Sequence, residues 1–218
     1  MSESIVYNID CMEYMRTLPD KAFNLAIVDP PYSIDSVMGN RNNGRKARFS
    51  QGAGKLKNRF LNKADLGWDI APTQEYFNEL FRISENQIIW GGNYFNLPPT
   101  RGIVCWDKKQ PWENFSQWEM AWTSFDKPAK IFRLAATART RNDVKIHPTQ
   151  KPVRLYEWLL DKFARGGDRI LDTHLGSGSS RIACAELGFD FVGCEIDKTY
   201  YDLQEQRFRE FQRQPELL

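Results

Sequence analysis

The chain has 218 residues, 41% of them hydrophobic and 27% charged, which is the size and composition of one globular domain. No apolar stretch approaches the roughly 18 residues that a membrane-spanning helix needs, and residues 1–10 lack the layout of a signal peptide, so we expect a cytoplasmic protein. Four widely spaced cysteines without a CxxC pair argue against a zinc site or a disulfide framework, and we interpret them as reduced thiols.

The net charge of +2 conceals two basic stretches. Residues 40–64 carry eight basic side chains and no acid, and residues 127–154 carry eight against the single acid Asp143. Either stretch by itself could be a solvated loop, but together they predict a surface that faces a polyanion. We therefore predict one domain over 1–218, with a basic mobile loop at about 34–66 and a second polyanion-facing segment at about 127–146.

The hydrophobic pattern alternates between short apolar runs and helical spacing. In the N-terminal half it predicts strands near 5–9 and 24–28 around a helix near 12–18, then a helix near 72–83 and strands near 87–90, 103–106 and 120–123. In the C-terminal half it predicts a helix at 153–165, a strand at 169–172, a helix at 180–187, a strand at 190–194 and a last helix, capped by Asp197, to about 212. This alternation is typical of an α/β fold with a doubly wound, mostly parallel sheet.

A glycine-rich turn follows the predicted strand at 169–172, where an open α/β sheet binds nucleoside-containing ligands. Gly176 and Gly178 let the backbone approach such a ligand, and Glu195 ends the next strand, where its carboxylate can accept hydrogen bonds from ribose hydroxyls. A nucleotide and an S-adenosyl cofactor fit this pattern equally well. The next glycine is Gly188, so the dinucleotide fingerprint is incomplete, and a tight turn without a ligand is the alternative.

The motif Asp29-Pro30-Pro31-Tyr32 follows the predicted strand at 24–28. Its two prolines fix the backbone and lack N–H donors, which leaves the Asp29 carboxylate and the Pro30 carbonyl as rigid acceptors beside an aromatic ring. Two acceptors suit the amino group of a planar base, because accepting both hydrogens localises the nitrogen lone pair for attack on a methyl group. Tyr32 can stack on a base that has been flipped out of a duplex. A strand-ending turn without chemistry is the alternative.

At these residues the chain resembles the permuted beta group of N6-adenine DNA methyltransferases, in which the DPPY motif precedes the cofactor loop. Residues 7–11 resemble the family's opening, where the position of Asp10 contacts the adenine of the cofactor. Residues 147–152 resemble the segment before the cofactor strand, whose Thr149 and Lys151 positions approach the methionine end. The predicted catalytic residues are Asp29, Pro30, Pro31 and Tyr32. The residues predicted to contact S-adenosylmethionine are Asp10, Cys11, Asp29, Thr149, Lys151, Asp172, His174, Gly176, Ser177, Gly178, Ser179, Ser180 and Glu195.

The resemblance also implies the class I S-adenosylmethionine-dependent methyltransferase fold, a seven-stranded sheet whose last strand is antiparallel. The cofactor loop departs from the family's usual Asp-Pro-Phe-x-Gly-Ser-Gly-Thr-Thr, because Thr173 and His174 replace Pro and Phe and two serines replace the threonines. An imidazole offers less apolar stacking than a phenyl ring, and we expect His174 to titrate near neutral pH.

The predicted function is transfer of a methyl group to N6 of a flipped-out adenine in double-stranded DNA, as in restriction-modification systems, without a metal. A homodimer and a cognate restriction enzyme are candidate partners by family precedent. The predicted DNA-binding residues are Arg41, Arg45, Lys46, Arg48, Lys55, Lys57, Arg59, Arg139 and Arg141. Three alternatives stay open: cytosine-N4 methylation, methylation of RNA or of a protein glutamine, and a non-catalytic nucleic-acid-binding relative. Asp rather than Ser at position 29 favours adenine.

Overall fold

The computed structural model describes residues 2–33, 70–111, 116–135 and 145–213, which form eight strands and five α-helices. The strands are β1 (Ser4–Tyr7), β2 (Phe23–Val28), β3 (Ser84–Trp90), β4 (Ile103–Asp107), β5 (Trp118–Thr123), β6 (Lys130–Arg133), β7 (Arg169–Asp172) and β8 (Asp190–Cys194). The helices are α1 (Cys11–Arg16), α2 (Gln74–Ile83), α3 (Val153–Phe163), α4 (Ser179–Leu187) and α5 (Lys198–Gln212). A short 3-10 turn, Gly92–Tyr94, follows β3.

All strands belong to one sheet in the order β1-β8-β7-β2-β3-β5-β4-β6. Strand β5 runs antiparallel to both of its neighbours, and every other pairing is parallel. The predicted α/β class and mostly parallel sheet are confirmed. The predicted seven strands are wrong, because β6 adds an eighth at the edge, and the antiparallel strand lies third from that edge and is not the last in the chain.

Two hydrophobic cores cover the two faces of the sheet, and successive residues of the central strands alternate between them. Leu25 and Ile27 enter the core under α3 and α4, whereas Ala26 and Val28 enter the core under α1 and α2. Burial on both faces explains why β2 is apolar almost throughout, as expected for a central parallel strand. The resulting apolar run is the pattern from which the sequence predicts this strand.

Strand β6 was missed in the sequence because it lies in a basic stretch and alternates without a strongly apolar pattern. It pairs with β4 at the edge of the sheet and leaves Ile131 and Arg133 exposed. An edge strand buries little of its surface, so its sequence carries a weak signal. Part of the second predicted polyanion-facing segment is therefore a strand of the sheet.

The C-terminal helix is fixed to the sheet by the buried Arg181 of α4. Its guanidinium donates to Ser4 Oγ at 3.0 Å and to Glu205 Oε1 at 2.6 Å, and it lies 3.8 Å from the centroid of the Phe208 ring. Asp197 caps α5 as predicted, because its side chain accepts from the N–H groups of Thr199 and Tyr200. Among the described residues, no helix is long and apolar enough to cross a membrane.

Candidate active site

The loops that follow the parallel strands open at one edge of the sheet, in the spatial order of those strands. β1 leads to Asp10, β8 to Glu195, β7 to the glycine turn and β2 to Asp29. Strands β7 and β2 are neighbours and run parallel, so the glycine turn and the Asp29 motif reach the same crevice. This crevice is a cleft of about 670 Å³, lined by all four residues of the motif and by Glu195.

The Glu195 carboxylate is held in place by two backbone amides. Gly176 N–H donates to Oε2 at 2.8 Å and Asp197 N–H donates to Oε1 at 2.9 Å. Burial raises the pKa of Glu195, and these amide bonds partly oppose that shift. The backbone N–H of Ile196 also hydrogen-bonds to this carboxylate, so three of its roughly four acceptor positions are used within the described residues and one is left for a ligand in the cleft.

Asp10 and Cys11 line the cleft beside Glu195, at the start of α1. The Asp10 carboxylate accepts from Met12 N–H at 2.7 Å and so caps the helix. Burial, and then the nearby Asp10 charge, raises the pKa of the Cys11 thiol to about 12. The thiol is therefore neutral at physiological pH and presents an apolar surface to the cleft.

Four of the predicted cofactor residues do not line the cleft: Asp172, Gly178, Ser179 and Ser180. They form the layer behind the glycine turn. Ser180 Oγ donates to Asp172 Oδ2 at 2.6 Å, and Arg207 Nη1 donates to Ser179 Oγ at 3.0 Å. Burial raises the pKa of Asp172 to about 7 despite its hydrogen bonds to Ser180 and to the backbone N–H of His174.

Both oxygens of the Asp29 carboxylate accept hydrogen bonds from side chains, one from its own motif and one from the segment before α3. Tyr32 donates its hydroxyl hydrogen to Oδ1, and the ammonium group of Lys151 donates to Oδ2. The Tyr32 ring stacks on Tyr94, with centroids 5.0 Å apart. Gly91 has φ +67°, and a Cβ at this position would lie 2.2 Å from the Tyr32 ring, so the ring requires glycine there.

Lys151 is 5% exposed and lies between two carboxylates, because Glu119 Oε2 is 3.2 Å from its Nζ. Glu119 also forms an ion pair with Lys108. Burial alone would lower the pKa of Lys151, but Asp29 and Glu119 raise it above its ordinary value. Burial likewise opposes ionisation of Glu119, yet the charges of Lys151 and Lys108 lower its pKa. The four groups form an alternating row of charges.

Glu119 is a charged site residue that sequence reasoning missed. It lies near the start of β5, and because β5 is antiparallel, that start lies at the edge where the parallel strands end. A carboxylate in an apolar strand, one residue from the exposed Trp118, was the available signal. Its position in the sheet could not be derived without knowing the direction of β5.

The segment 147–152 enters the cleft opposite the glycine turn. The His147 ring lies 3.6 Å from where a Gly176 Cβ would be, and it meets the Tyr200 ring edge-on at 4.3 Å. Burial lowers the pKa of His147 to about 4. Thr149 lines the cleft beside it, with its hydroxyl 3.0 Å from His147 Nδ1.

His174 also lines the cleft, but it does not titrate near neutral pH as expected. Burial lowers its pKa to about 4, so the imidazole is neutral. The nine predicted DNA-binding residues, from Arg41 to Arg141, lie outside the described residues.

Comparisons with known proteins agree with this architecture. The family model described as DNA methylase, of the N6/N4 type, matches residues 106–206. The type II methyltransferase M.HpaI of Haemophilus parainfluenzae is 25% identical, over 91% of this chain and 72% of its own length. The type II methyltransferase M2.MboI of Moraxella bovis is 24% identical, over 94% of this chain and 87% of its own length. Two solved structures share the fold. The M1.HpyAVI complex with S-adenosylmethionine has a TM-score of 0.56 at 20% identity, over 93% of this chain and 98% of that one. The cytosine-N4-specific PvuII methyltransferase has a TM-score of 0.61 at 13% identity, and the match covers 100% of this chain and 89% of that one.

The mostly parallel sheet, with its cleft at the carboxyl ends of the strands, is the class I methyltransferase fold. Residues 106–206 match the N6/N4 DNA methylase family, and this match, together with the two type II methyltransferase relatives, supports DNA methyltransferase function. The family match includes Glu119, Lys151 and the glycine turn, whereas the Asp29 motif lies before it.

The raised pKa of Asp172 predicts that the free energy of unfolding of Asp172→Asn increases relative to that of the wild type as pH rises from about 4 to 7. Because the pKa is about 7 in the folded protein and 3.8 ordinarily, the folded protein binds the extra proton between these values. Wild-type stability therefore loses a contribution as pH rises from about 4 to 7. Asparagine is neutral throughout, so the difference in unfolding free energy should widen by up to about 4 kcal/mol. Urea titrations at pH 4 to 8 measure it.

The two histidines have lowered pKa values and act in the opposite direction, but they are common to both proteins and cancel in the difference. Asp161→Asn, at an exposed carboxylate on α3, is the matched control and should show no such widening. A difference for Asp172→Asn that is independent of pH would contradict the assignment.

Proposed function

We propose that this chain transfers the methyl group of S-adenosylmethionine to N6 of adenine in DNA. The observation that carries the proposal is the Asp29 carboxylate, which lies at the carboxyl end of β2 and faces the same cleft as Glu195. Its resemblance to N6-adenine methyltransferases implies that this motif is catalytic, and a carboxylate acceptor there can hold the amino group of the target base. Aspartate there, in place of serine, favours adenine over cytosine.

The residues on the β8 side of the cleft suit the cofactor. Glu195 lines the cleft with acceptor capacity left for a ribose hydroxyl, and Gly176, at φ +52°, lies in the turn beside it. Asp10 and Cys11 border the same space. M1.HpyAVI, which shares the fold, was solved with S-adenosylmethionine bound. When bound, the cofactor supplies a methyl group on a positively charged sulfur.

Asp29 and Pro30 are the groups we propose to act on the amino group. Among the described residues each Asp29 oxygen accepts from one partner, which leaves a second acceptor position, so the carboxylate can accept one amino hydrogen while Lys151 and Tyr32 stay in place. The Pro30 carbonyl accepts the other. With both hydrogens held, the N6 lone pair would point at the methyl carbon. The N–C bond would form as the methyl–sulfur bond breaks, S-adenosylhomocysteine would leave, and one amino hydrogen would be lost to solvent as a proton. Alignment of the two partners supplies the catalysis.

Lys151 and Glu119 position that carboxylate in the proposed mechanism. Lys151 Nζ donates to Asp29 Oδ2, and Glu119 Oε2 forms a second ion pair with the same ammonium group. A buried lysine with one carboxylate fewer would be poorly satisfied. The row of charges therefore holds Asp29 rigidly at the cleft, as preorganised electrostatic sites require.

The order of the motifs supports assignment to the permuted beta group, because the strand before Asp29 precedes the strand before the glycine turn in the chain although the two are neighbours in the sheet. We propose that the predicted basic residues contact the DNA phosphates, and that Tyr32 stacks on the flipped base. A homodimer and a cognate restriction enzyme stay predictions.

Cytosine N4 is the second candidate, because PvuII methyltransferase shares the fold with a TM-score of 0.61 and acts on cytosine N4. Incubating the protein with tritiated S-adenosylmethionine and plasmid DNA, and then separating the digested nucleosides, distinguishes the two. We expect the label in N6-methyladenine. Label in N4-methylcytosine would overturn the adenine assignment, and a protein that binds the cofactor and DNA without labelling either base would be a non-catalytic relative.

The proposed role of Asp29 predicts that Asp29→Ala and Asp29→Asn lose methyl transfer by at least about a hundredfold. DNA binding should change little, because phosphate contacts supply most of it. Single-turnover labelling measures transfer and a mobility shift measures binding. The asparagine variant guards against instability caused by an unpaired Lys151, and Asp126→Asn, at an exposed carboxylate, is the matched control. Wild-type transfer by either Asp29 variant would sink the proposal.

The positioning role of Glu119 predicts that Glu119→Gln lowers kcat about tenfold, which corresponds to about 1.4 kcal/mol. The KM for DNA should stay within about twofold, because Glu119 acts through Lys151 and not on the phosphates. Glu85→Gln, at an exposed position of β3, controls for the loss of one charge. An unchanged kcat for Glu119→Gln in a folded protein would contradict this role.

A further inference from the structure

A buried chain of hydrogen bonds leads from α2 to the glycine turn. The Tyr76 hydroxyl lies 2.6 Å from Thr173 Oγ1, and Thr173 Oγ1 lies 2.9 Å from His174 Nδ1. Tyr76 and Thr173 are 2% and 3% exposed, whereas His174 lines the cleft. Thr173 and His174 are the two residues that depart from the Pro-Phe pair usual in the family.

The hydrogens of this chain can be placed by counting donors. Tyr76 stays protonated, because burial raises its pKa well above the ordinary value. Within the described residues Thr173 is its hydrogen-bond partner, so the Tyr76 hydrogen is satisfied when Tyr76 donates to Thr173. Thr173 then has its own hydrogen to donate, and His174 Nδ1 accepts it.

The neutral imidazole carries one hydrogen, and with Nδ1 as an acceptor that hydrogen lies on Nε2. No residue of the described part of the chain accepts from Nε2, and the ring lines the cleft. A donor held in this way faces the cleft and can donate to a ligand bound there. The charge of Asp10, whose position is implied by the resemblance to contact the adenine of the cofactor, acts on the His174 ring and partly opposes the lowering of its pKa.

We propose that His174 Nε2–H donates a hydrogen bond to the adenosine portion of the bound cofactor, and that Tyr76 and Thr173 are positioning residues that set the tautomer. This inference rests on the proposed cofactor. A Pro-Phe pair has no hydroxyl for Tyr76 and no ring N–H, so in this chain a polar contact replaces the apolar one of the family. The three residues act as a unit, because each donor is oriented by the one before it.

The tautomer is tested by NMR on protein labelled with 15N-histidine. The chain has two histidines, so His174→Phe assigns the spectrum by removing one. We expect the hydrogen of His174 on Nε2, and a shift of that resonance when S-adenosylhomocysteine is added. Thr173→Val should abolish the preference for one tautomer, and Thr173→Ser should retain it. A hydrogen on Nδ1 in the wild type would overturn the inference.

Binding is tested by calorimetry with S-adenosylhomocysteine and with 5′-methylthioadenosine, which lacks the amino-acid portion. His174→Phe should weaken both about tenfold, Thr173→Val should weaken both by less, and Thr173→Ser should bind like wild type. Equal binding by wild type and His174→Phe would overturn the inference while leaving the proposed function intact. A loss confined to S-adenosylhomocysteine would refute the contact with adenosine. Failure of the wild type to bind either ligand would instead refute the proposed function.

Discussion

The ammonium group of Lys151 lies buried between the carboxylates of Asp29 and Glu119, and the arrangement of the reactive end of the cleft depends on this pairing. A charge at this depth is stable when opposite charges surround it. Lys151 also lies 5.2 Å from the centroid of the Trp90 ring, so its surroundings are apolar wherever they are not charged. The ion pair ties the segment before α3 to β2 and β5, and it fixes the carboxylate proposed to meet the target base.

The two sides of the cleft differ in their electrostatics. On the β2 side, lysines and carboxylates alternate, and the neighbouring opposite charges lower the pKa of Glu119 and raise that of Lys151, which favours the ionised form of both. On the β7 side, burial without a charged partner favours neutral forms. It lowers the pKa of His174 to about 4 and raises that of Asp172 to about 7. The charged side suits an amino group that must be held by acceptors, and the neutral side suits a nucleoside that binds through hydrogen bonds.

The topology of the sheet explains why residues far apart in sequence meet. Parallel strands present their carboxyl ends at one edge, and there the loops after β1, β8, β7 and β2 supply the cleft. The antiparallel β5 contributes its beginning to the same edge, which adds Glu119. The layer behind the turn, which includes Asp172 and Ser180, supports the backbone without reaching the cleft.

The sequence by itself determined the α/β class and most helices and strands. These follow from local patterns, because central parallel strands are continuously apolar. The tertiary structure decided the eighth strand, the place of Glu119, the glycine required at Gly91, and the neutrality of His174. Each of these features depends on strand direction, on close approach between distant segments, or on depth of burial. The spacing of neighbouring residues in the sequence specifies none of these three properties.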